Sequence, residues 1–202
     1  IVDIEEDSWC IDPNAIKKAI TSNTKAIIPV HLYGQPCDME QIMQIAEENQ
    51  LKVIEDCAEA HGAKFKGKKV GSFGDINCFS FFANKIITTG EGGMCLTQSE
   101  VLYEKMKVYR DHGMNKSKRY WHDVIGFNYR MTNLQAAIGV AQLERIDEII
   151  QFRRDLEENY KKHLSALSHL SFQNSMLPGR EKTTWLVCAI VDDGKRDEYM
   201  AE

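Results

Sequence analysis

The sequence predicts an α/β fold with a mostly parallel sheet, and three observations support this prediction. Short apolar runs typical of buried strands alternate with segments whose apolar residues recur at helical spacing. Hydrophobic residues make up 43% and charged residues 27% of the 202 residues, which is ordinary for a globular protein. Between residues 25 and 58, a strand, a helix of about a dozen residues and a second strand follow one another as in a βαβ unit. These two strands are therefore expected to be parallel.

Helix caps and a proline mark the first elements. A short helix is predicted from Pro13 to Ile20, because proline favours the first position of a helix. Asp38 can cap a second helix, whose apolar side chains fall on one face. Strands are predicted on either side of this second helix, at 25–34 and 51–58.

The rest of the chain continues the alternation of strands and helices. Thr132 and Gln135 have the spacing of a capping box and are predicted to open a long amphipathic helix. The remaining predictions are a polar, glycine-rich connection at 64–75, strands at 76–82, 92–97 and 184–191, a helix at 99–109, and the long helix at 132–164.

We predict three regions along the chain. Residues 1–131 form the central part of a large α/β domain, 132–166 form the long connecting helix, and 167–202 begin a smaller carboxy-terminal α/β domain. The chain begins at Ile1 without a methionine and ends at Glu202 within a predicted helix. We therefore expect it to be a piece of a longer protein, incomplete at both ends.

Composition argues against several classes of function. The net charge of −5 gives no electrostatic support for nucleic-acid binding. No apolar run approaches the roughly 20 residues of a membrane helix. The histidines and cysteines lack the spacing of metal ligands, and so no metal site is predicted.

The cysteines indicate a reducing compartment. The sequence holds six of them and no CxxC pair. Four lie in apolar, strand-like runs, namely Cys57, Cys78, Cys95 and Cys188. This is the usage of small buried hydrophobes rather than of a disulfide framework, and it predicts a cytoplasmic protein.

Acidic residues cluster at the end of the strand predicted at 51–58. Ligands of open α/β sheets gather at the carboxyl ends of the strands, which is where Asp56 is placed. Glu55 is expected to point to the opposite face, because side chains alternate along a strand. Asp56 could bind a ligand at this edge, or it could only cap the next turn.

A second candidate site is the stretch FSFFANKIITTGEGGM at 79–94. Lys85 follows an aromatic strand, and it is either a surface charge or a desolvated amine that can react with an aldehyde. Ser80 could bind a phosphate oxygen or only the neighbouring backbone. The segment is not a phosphate-binding P-loop, because Gly93 is followed by Met94 and not by lysine.

Together these motifs resemble the DegT/DnrJ/EryC1 family of sugar aminotransferases, which depend on pyridoxal 5'-phosphate. The match is carried by EDCAEAHGAKFKGKKVGSFGD at 55–75, by the stretch at 79–94, and by GFNYRMTNLQAAIGVAQLERIDE at 126–148. The resemblance implies the fold type I of pyridoxal-phosphate enzymes, which is similar to aspartate aminotransferase. Residues 1–131 would then belong to the cofactor-binding large domain.

The resemblance also implies roles for individual residues. Lys85 would be the lysine that forms the Schiff base, and Asp56 would be the partner of the pyridine nitrogen. Ser80 would be a ligand of the cofactor phosphate, and Glu59 would lie beside the ring near its 3-hydroxyl group, where many relatives have glutamine. Asn128 would reach the cofactor phosphate of the other subunit in a homodimer with shared active sites.

The activity implied by the resemblance is transfer of an amino group from L-glutamate to a nucleotide-linked keto sugar, for O-antigen or other polysaccharide biosynthesis. The motifs are most similar to the branch that aminates C4 of a GDP-linked 4-keto-6-deoxy sugar. C3-aminating and dehydrating relatives are alternatives, although the dehydrating ones carry histidine at the position of Lys85. A non-catalytic regulatory protein of the same fold is a third alternative, and Lys85 together with Asp56 argues against it.

Two basic clusters and two histidines complete the candidate residues. The lysine-rich turn at 64–69 is either a solvated hairpin or a contact for a nucleotide diphosphate. The segment NKSKRYWHD at 115–123 is either a surface loop or a grip for a nucleotide sugar. His31 and His61 are expected to be structural.

Overall fold

The computed structural model describes residues 1–192 and 194–201, and its elements follow the predicted alternation. The helices are α1 (Pro13–Ala19), α2 (Met39–Glu48), α3 (Glu100–Arg110), α4 (Asn133–Leu143), α5 (Ile146–Leu164) and α6 (Arg196–Ala201). The strands are β1 (Ala26–Ile27), β2 (Lys52–Asp56), β3 (Lys64–Phe65), β4 (Lys68–Lys69), β5 (Ile76–Ser80), β6 (Gly93–Leu96), β7 (Leu170–Phe172), β8 (Arg180–Glu181) and β9 (Ala189–Val191).

A four-stranded sheet in the order β1-β2-β5-β6 forms the centre of the molecule. β1 is parallel to β2, and β2 is parallel to β5, whereas β6 is antiparallel to β5. Two smaller antiparallel sheets have the orders β4-β3-β8 and β7-β9. The predicted α/β class with a mostly parallel central sheet is thus confirmed, and so is the βαβ unit of β1, α2 and β2.

The core lies between α2 and the central sheet. The Asp38 side chain caps α2 as predicted, because it accepts a hydrogen bond from the Gln41 amide at 3.1 Å. The helix then buries Ile42 and Ile45 against the sheet residue Val53. Full burial of one such side chain is worth about 1.5–3 kcal/mol, so this packing fixes the strands that lead to the candidate site.

Two predicted strands are shorter in the structure. β1 ends at Ile27 because Pro29 has no amide to continue the ladder, and pairing resumes only as a single bridge between Val30 and Asp56. Of the strand predicted at 184–191, only Ala189–Val191 pairs with another strand.

The predicted long helix is divided into α4 and α5. Thr132 and Gln135 form the predicted capping box. Arg145 then interrupts the helix with φ −114° and ψ 15°. The next turn carries Asp147 and Glu148, and acidic side chains are favourable at a helix amino terminus, which explains why a second helix begins there.

The helices after β6 leave a large apolar surface uncovered. Neither α3 nor α4 contains a buried residue. α4 exposes four large aliphatic side chains, which are Leu134, Ile138, Val140 and Leu143. None of the helices in the described ranges is both long enough and apolar enough to cross a bilayer.

The prediction of buried cysteines is only partly correct. All six cysteines are free thiols, and Cys57 is buried as expected. Cys78 and Cys188 are half-buried and Cys95 is exposed. Cys95 is exposed because β6 leaves every one of its residues uncovered, and Cys188 lies just before β9 rather than inside a strand.

Candidate active site

Two candidate side chains lie at the same edge of the sheet, at the ends of the parallel strands β2 and β5. β2 ends at Asp56 and β5 ends at Ser80. Asp56 lies opposite Cys78 in the parallel register, so Ser80 is two residues farther along the neighbouring strand. Because parallel strands share their carboxyl edge, both side chains lie at the edge where α/β proteins bind ligands.

Asp56 uses one carboxylate oxygen locally and leaves the other available. Its Oδ1 accepts a hydrogen bond from the Ala58 amide at 3.0 Å, which turns the chain after the strand. In the described part of the chain, no group donates to its Oδ2. The half-buried Asp56 therefore both caps the turn and offers an acceptor at the edge of the sheet.

Glu55 points to the opposite face of β2, as alternation along a strand predicts, and it is fully buried. Its carboxylate accepts from the backbone amides of Gly71, Phe73 and Gly74 at 2.8, 2.6 and 2.9 Å. It also lies 3.0 Å from the Nε2 atom of His31. Burial alone would raise the pKa of Glu55, but the hydrogen bonds from His31 and the amides outweigh burial and lower it. Glu55 is therefore a structural anchor for the connection at 71–74.

Lys85 lies inside the site rather than on the surface. Its side chain is only 12% exposed. The Nζ atom is 3.7 Å from Oε1 of Glu59 and 3.8 Å from the centre of the Trp185 ring. Of the two interpretations left open by the sequence, the structure favours the partly desolvated amine.

Glu59 is held by the turn that follows β1. Its Oε2 accepts from the Tyr33 amide at 2.8 Å, which leaves Oε1 to face Lys85. Tyr33 adopts a left-handed backbone conformation with φ 56° and ψ 21°. Such a conformation costs on the order of 1–3 kcal/mol in a residue other than glycine. Here it occurs in the residue whose backbone N–H donates a hydrogen bond to Glu59.

Trp185 is a site residue that the sequence did not indicate. Its indole Nε1 donates to the Asn84 carbonyl at 2.8 Å, and its ring stacks on that of Tyr33. Its segment can approach because Gly34 has no side chain: a Cβ atom there would lie 1.4 Å from the Thr183 carbonyl oxygen. A lone tryptophan 101 residues from its partner gives no local signal in the sequence.

Ser80 and the following glycine-rich segment present further hydrogen-bonding groups. The Ser80 Oγ atom accepts from the Phe82 amide at 3.2 Å, and its hydroxyl proton has no acceptor within 1–192 and 194–201. At Gly92, φ is +154°, and a Cβ atom would lie 2.5 Å from Oγ1 of Thr89. Glycine is thus required where the segment folds back toward β6.

Asn128 has its described contacts with other residues than those around Lys85. It is exposed, and its Oδ1 accepts from Nε of Arg130 at 3.2 Å. Its backbone forms an isolated bridge with Asp111. None of its described contacts involves the residues around Lys85.

The two histidines have structural surroundings. His31 uses both ring nitrogens, one toward Glu55 and the other as acceptor for the Cys37 amide at 3.0 Å. His61 is buried against the rings of Phe79 and Phe81. Burial and the neighbouring Lys85 cation lower the pKa of His61 to about 4, although a backbone contact with Ser80 acts in the opposite direction.

One group of three potential metal ligands occurs in the described residues, formed by His31, Glu55 and Cys57. Their donor atoms lie within 4.8 Å of one another. Glu55 already accepts hydrogen bonds from three backbone amides and contacts His31. Both ring nitrogens of His31 take part in hydrogen bonds. Ion binding would break this hydrogen-bond network, so the group does not constitute a metal centre.

The lysine-rich turn at 64–69 forms a hairpin of β3 and β4, as one of the two interpretations predicted. Lys64 and Lys66 form exposed ion pairs with Glu181 and Glu40. The segment at 115–123 consists mostly of turns and bends, and its side chains from Lys116 onward are exposed. Within residues 1–192 and 194–201, no hydrogen bond or ion pair joins either cluster to Lys85.

The arrangement at the sheet edge combines three chemical functions. Lys85 offers an amine beside a carboxylate, Asp56 offers a free carboxylate oxygen, and Ser80 offers a hydroxyl donor. These groups could bond an aldehyde carbon, hold a protonated nitrogen and bind an anionic oxygen, respectively.

Comparisons with known proteins agree with this chemistry. The model of the DegT/DnrJ/EryC1/StrS aminotransferase family matches residues 1–202. The GDP-perosamine synthase of Escherichia coli O157:H7 is 54% identical over 166 residues, covering 82% of this chain and 46% of that protein. The GDP-perosamine synthase of Vibrio cholerae is 46% identical, covering 94% of this chain and 51% of that protein.

A solved structure supports the same relationship. The aminotransferase from Psychrobacter cryohalolentis superposes with a TM-score of 0.82 at 37% identity, over 91% of this chain and 51% of that one. The chain spans about half the length of the relatives that it matches.

Proposed function

Since the chain belongs to the DegT/DnrJ/EryC1/StrS aminotransferase family, we propose that the protein containing it transfers an amino group from glutamate to a nucleotide-linked keto sugar, with pyridoxal 5'-phosphate as cofactor. The observation that carries this proposal is the position of Lys85. Its amine is shielded from solvent, faces a carboxylate and lies at the ligand-binding edge of the sheet.

The groups that are unused in this structure suit the cofactor. Lys85 Nζ makes no hydrogen bond in the described residues and could bond the aldehyde carbon. The Oδ2 atom of Asp56 could accept from a pyridine N–H, and the Ser80 hydroxyl could donate to the phosphate. One amine, one acceptor and one donor correspond to the aldehyde, the ring nitrogen and the phosphate of pyridoxal phosphate.

Asp56 has the task of holding a proton. When bound, pyridoxal phosphate supplies a ring that withdraws electrons from the carbon whose bond is broken. This withdrawal requires a protonated ring nitrogen, and a carboxylate beside that nitrogen keeps the proton in place. Asp56 is held on the rigid end of β2, because its backbone bonds to Pro29 and His31 on the neighbouring segment.

Lys85 has the task of moving a proton. With the cofactor and the amino donor bound, a free Lys85 Nζ could take the proton from the α-carbon of the donor. Glu59 and the Trp185 ring are placed to stabilise the ammonium group that results. The hydrogen bond from the Tyr33 backbone N–H keeps the Glu59 carboxylate oriented toward the Lys85 amine.

The similarity to two GDP-perosamine synthases favours a GDP-linked 4-keto-6-deoxy sugar as acceptor. Its product would supply polysaccharide biosynthesis, and the protein itself would be cytoplasmic. We further propose that Asn128 serves the cofactor phosphate of a second subunit, which agrees with its exposed position away from Lys85.

The experiment uses the full-length protein that contains this chain, with glutamate and a panel of nucleotide-linked keto sugars. We expect amination of the GDP-linked 4-keto sugar, and we expect borohydride reduction to leave a pyridoxyl group on Lys85. Lys52→Ala is the control, since Lys52 is an exposed lysine on β2. Turnover of only dTDP- or UDP-linked sugars would refute the substrate, and a pyridoxyl group on Lys52 or Lys69 would refute the site.

A further inference from the structure

Glu157 is a buried carboxylate on α5, and only 6% of the residue is exposed. Its Oε1 atom accepts a hydrogen bond from Nζ of Lys182 at 2.8 Å and lies 2.8 Å from Nζ of Lys161. Its Oε2 atom accepts from the Thr184 hydroxyl. These contacts lie inside the fold, so they do not depend on whether further chain or another subunit covers the surface.

The buried group keeps its charge. Burial alone would raise the pKa of Glu157, but the hydrogen bonds from Lys161, Lys182 and Thr184 outweigh burial and lower it. Burial lowers the pKa of Lys182, while the hydrogen bond to Glu157 acts in the opposite direction. Removing one partner of a buried ion pair is costly, because the other charge then has no counterion. The ion pair therefore holds the segment 182–185 on α5.

The segment 182–185 also pairs with the turn that follows β1. The Thr183 amide donates to the Gly34 carbonyl at 3.1 Å. The Trp185 amide donates to the Tyr33 carbonyl at 3.2 Å. The segment thus lies between the long helix and this turn, and it holds one to the other.

Both close neighbours of the Lys85 amine depend on this segment. The Trp185 ring belongs to it and lies 3.8 Å from Nζ. The Glu59 carboxylate, 3.7 Å from Nζ, accepts from the amide of Tyr33. Tyr33 in turn stacks on Trp185 and pairs with its backbone. A displacement of the segment from α5 would therefore move the ring and loosen the carboxylate together.

We propose that Glu157 is a positioning residue for Lys85. From α5 it holds the segment 182–185, and this segment places the Trp185 ring and the Glu59 carboxylate beside the amine. The role rests on the proposed function, in which Lys85 is the reacting amine. Its effect can nevertheless be measured on the amine itself, without sugar or amino donor.

The test measures how fast acetic anhydride modifies Lys85 in the full-length protein after removal of the cofactor, by mass spectrometry of its peptides. Thr184→Val removes the hydroxyl that donates to Glu157 and leaves the buried ion pair in place. We expect Lys85 to react about fivefold faster, because loss of one hydrogen bond shifts the local opening equilibrium by about this factor. Thr184→Ser keeps the hydroxyl and should restore the wild-type rate.

Glu157→Gln is the second variant, and Lys85 should react at least as fast in it as in Thr184→Val. The matched control is Glu158→Gln, which should behave like the wild type. Glu158 is the next residue on α5, and its carboxylate makes no hydrogen bond or ion pair with the residues that the structure describes. Lys52, on β2, is the internal reference and should react equally in every protein.

Circular dichroism would verify that each protein is folded, and the variants at position 184 decide the question even if Glu157→Gln does not fold. A merely structural Glu157 would lower the midpoint of urea unfolding and leave the Lys85 rate unchanged. Equal Lys85 rates in wild type and Thr184→Val would overturn the proposal, and so would equal acceleration of Lys85 and Lys52. Faster labelling of Lys85 without a pyridoxyl group after borohydride reduction would refute the proposed function but not the positioning of the amine.

Discussion

At Lys85, one amine lies between a carboxylate and an indole ring, and each neighbour comes from a different part of the chain. Glu59 belongs to the turn after β2, whereas Trp185 belongs to the segment before β9. A partly desolvated cation–π contact is worth on the order of 1–2 kcal/mol. The amine is thereby held at a defined place even when it has no covalent partner.

His61, buried beside the same amine, makes the stability of the fold depend on pH. Its pKa is about 4 in the folded protein, against about 6.5 for an ordinary histidine. Between these values only the unfolded chain binds the proton, so the stability that neutral His61 contributes is present above about pH 6.5 and is lost as the pH falls toward 4. The total loss would be about 3 kcal/mol.

We expect His61→Gln to reduce this dependence. Urea unfolding at pH 7.5 and pH 5 should show that the wild type loses about 2 kcal/mol more than the variant, because the interval between pH 6.5 and 5 spans about 1.5 pH units. His163→Gln, at an exposed position on α5, is the control and should follow the wild type. Equal losses in wild type and His61→Gln would contradict the assignment.

At the scale of elements, β2 separates two carboxylates that are adjacent in sequence. Asp56 faces the candidate site, while Glu55 ties the connection at 71–74 to the core. This connection leads directly into β5, the strand that ends at Ser80. One strand therefore supplies both a functional group and the anchor that positions the next strand.

Glu55→Gln should destabilise the protein by about 3 kcal/mol. The amide would turn an N–H₂ donor toward groups that are themselves donors, and each buried donor left without an acceptor costs about 1–3 kcal/mol. Urea denaturation would measure the loss. Glu47→Gln, on the exposed side of α2, is the matched control and should change little. A loss below about 1 kcal/mol would mean that the anchor is not important for stability.

The elements that could be predicted from the sequence are those with a local cause. The Asp38 cap, the Thr132 capping box and the alternation in β2 each depend on neighbouring residues. The candidate site residues between Asp56 and Lys85 could be predicted because they lie within two continuous sequence motifs, at 55–75 and 79–94. Trp185 could not be predicted, because its place depends on docking of a distant segment. The interruption at Arg145 was also missed, since the sequence contains no proline or glycine there to mark it.

At the scale of the whole molecule, the proposed homodimer would bring Asn128 of one chain to the site of the other. α4 begins just after the turn that contains Asn128, and it exposes Leu134, Ile138 and Val140. A second subunit would cover part of this exposed apolar surface. A two-fold axis near this helix would pair each Asn128 with the site of the other chain.

Mixing two inactive full-length variants would test this arrangement. Lys85→Ala and Asn128→Ala are each expected to be impaired. In a mixed dimer, one site would combine the intact Lys85 of one chain with the intact Asn128 of the other. Random mixing should restore roughly a quarter of wild-type activity, because about half of the dimers are mixed and each has one intact site.

As the control, each variant is taken through the same mixing procedure alone. Every dimer then carries the same substitution in both chains, and the activity should not increase. If Lys85 and Asn128 served the same site within one chain, every site in the mixed dimer would lack one of them. An absence of recovery in mixed dimers whose subunits are shown to be folded would therefore place Asn128 in its own subunit.

The contact between Gly34 and Thr183 also sets an order of events during synthesis. The segment that carries Trp185 leaves the ribosome long after β2, which ends at Asp56, and β5, which precedes Lys85. These two strands can already pair with each other. Joining segments so far apart requires the closure of a long loop, and this step follows the formation of local structure. A nascent chain that stalls before residue 183 would therefore expose the lysine without its indole neighbour, and the amine would remain open to any aldehyde in the cell until translation resumed.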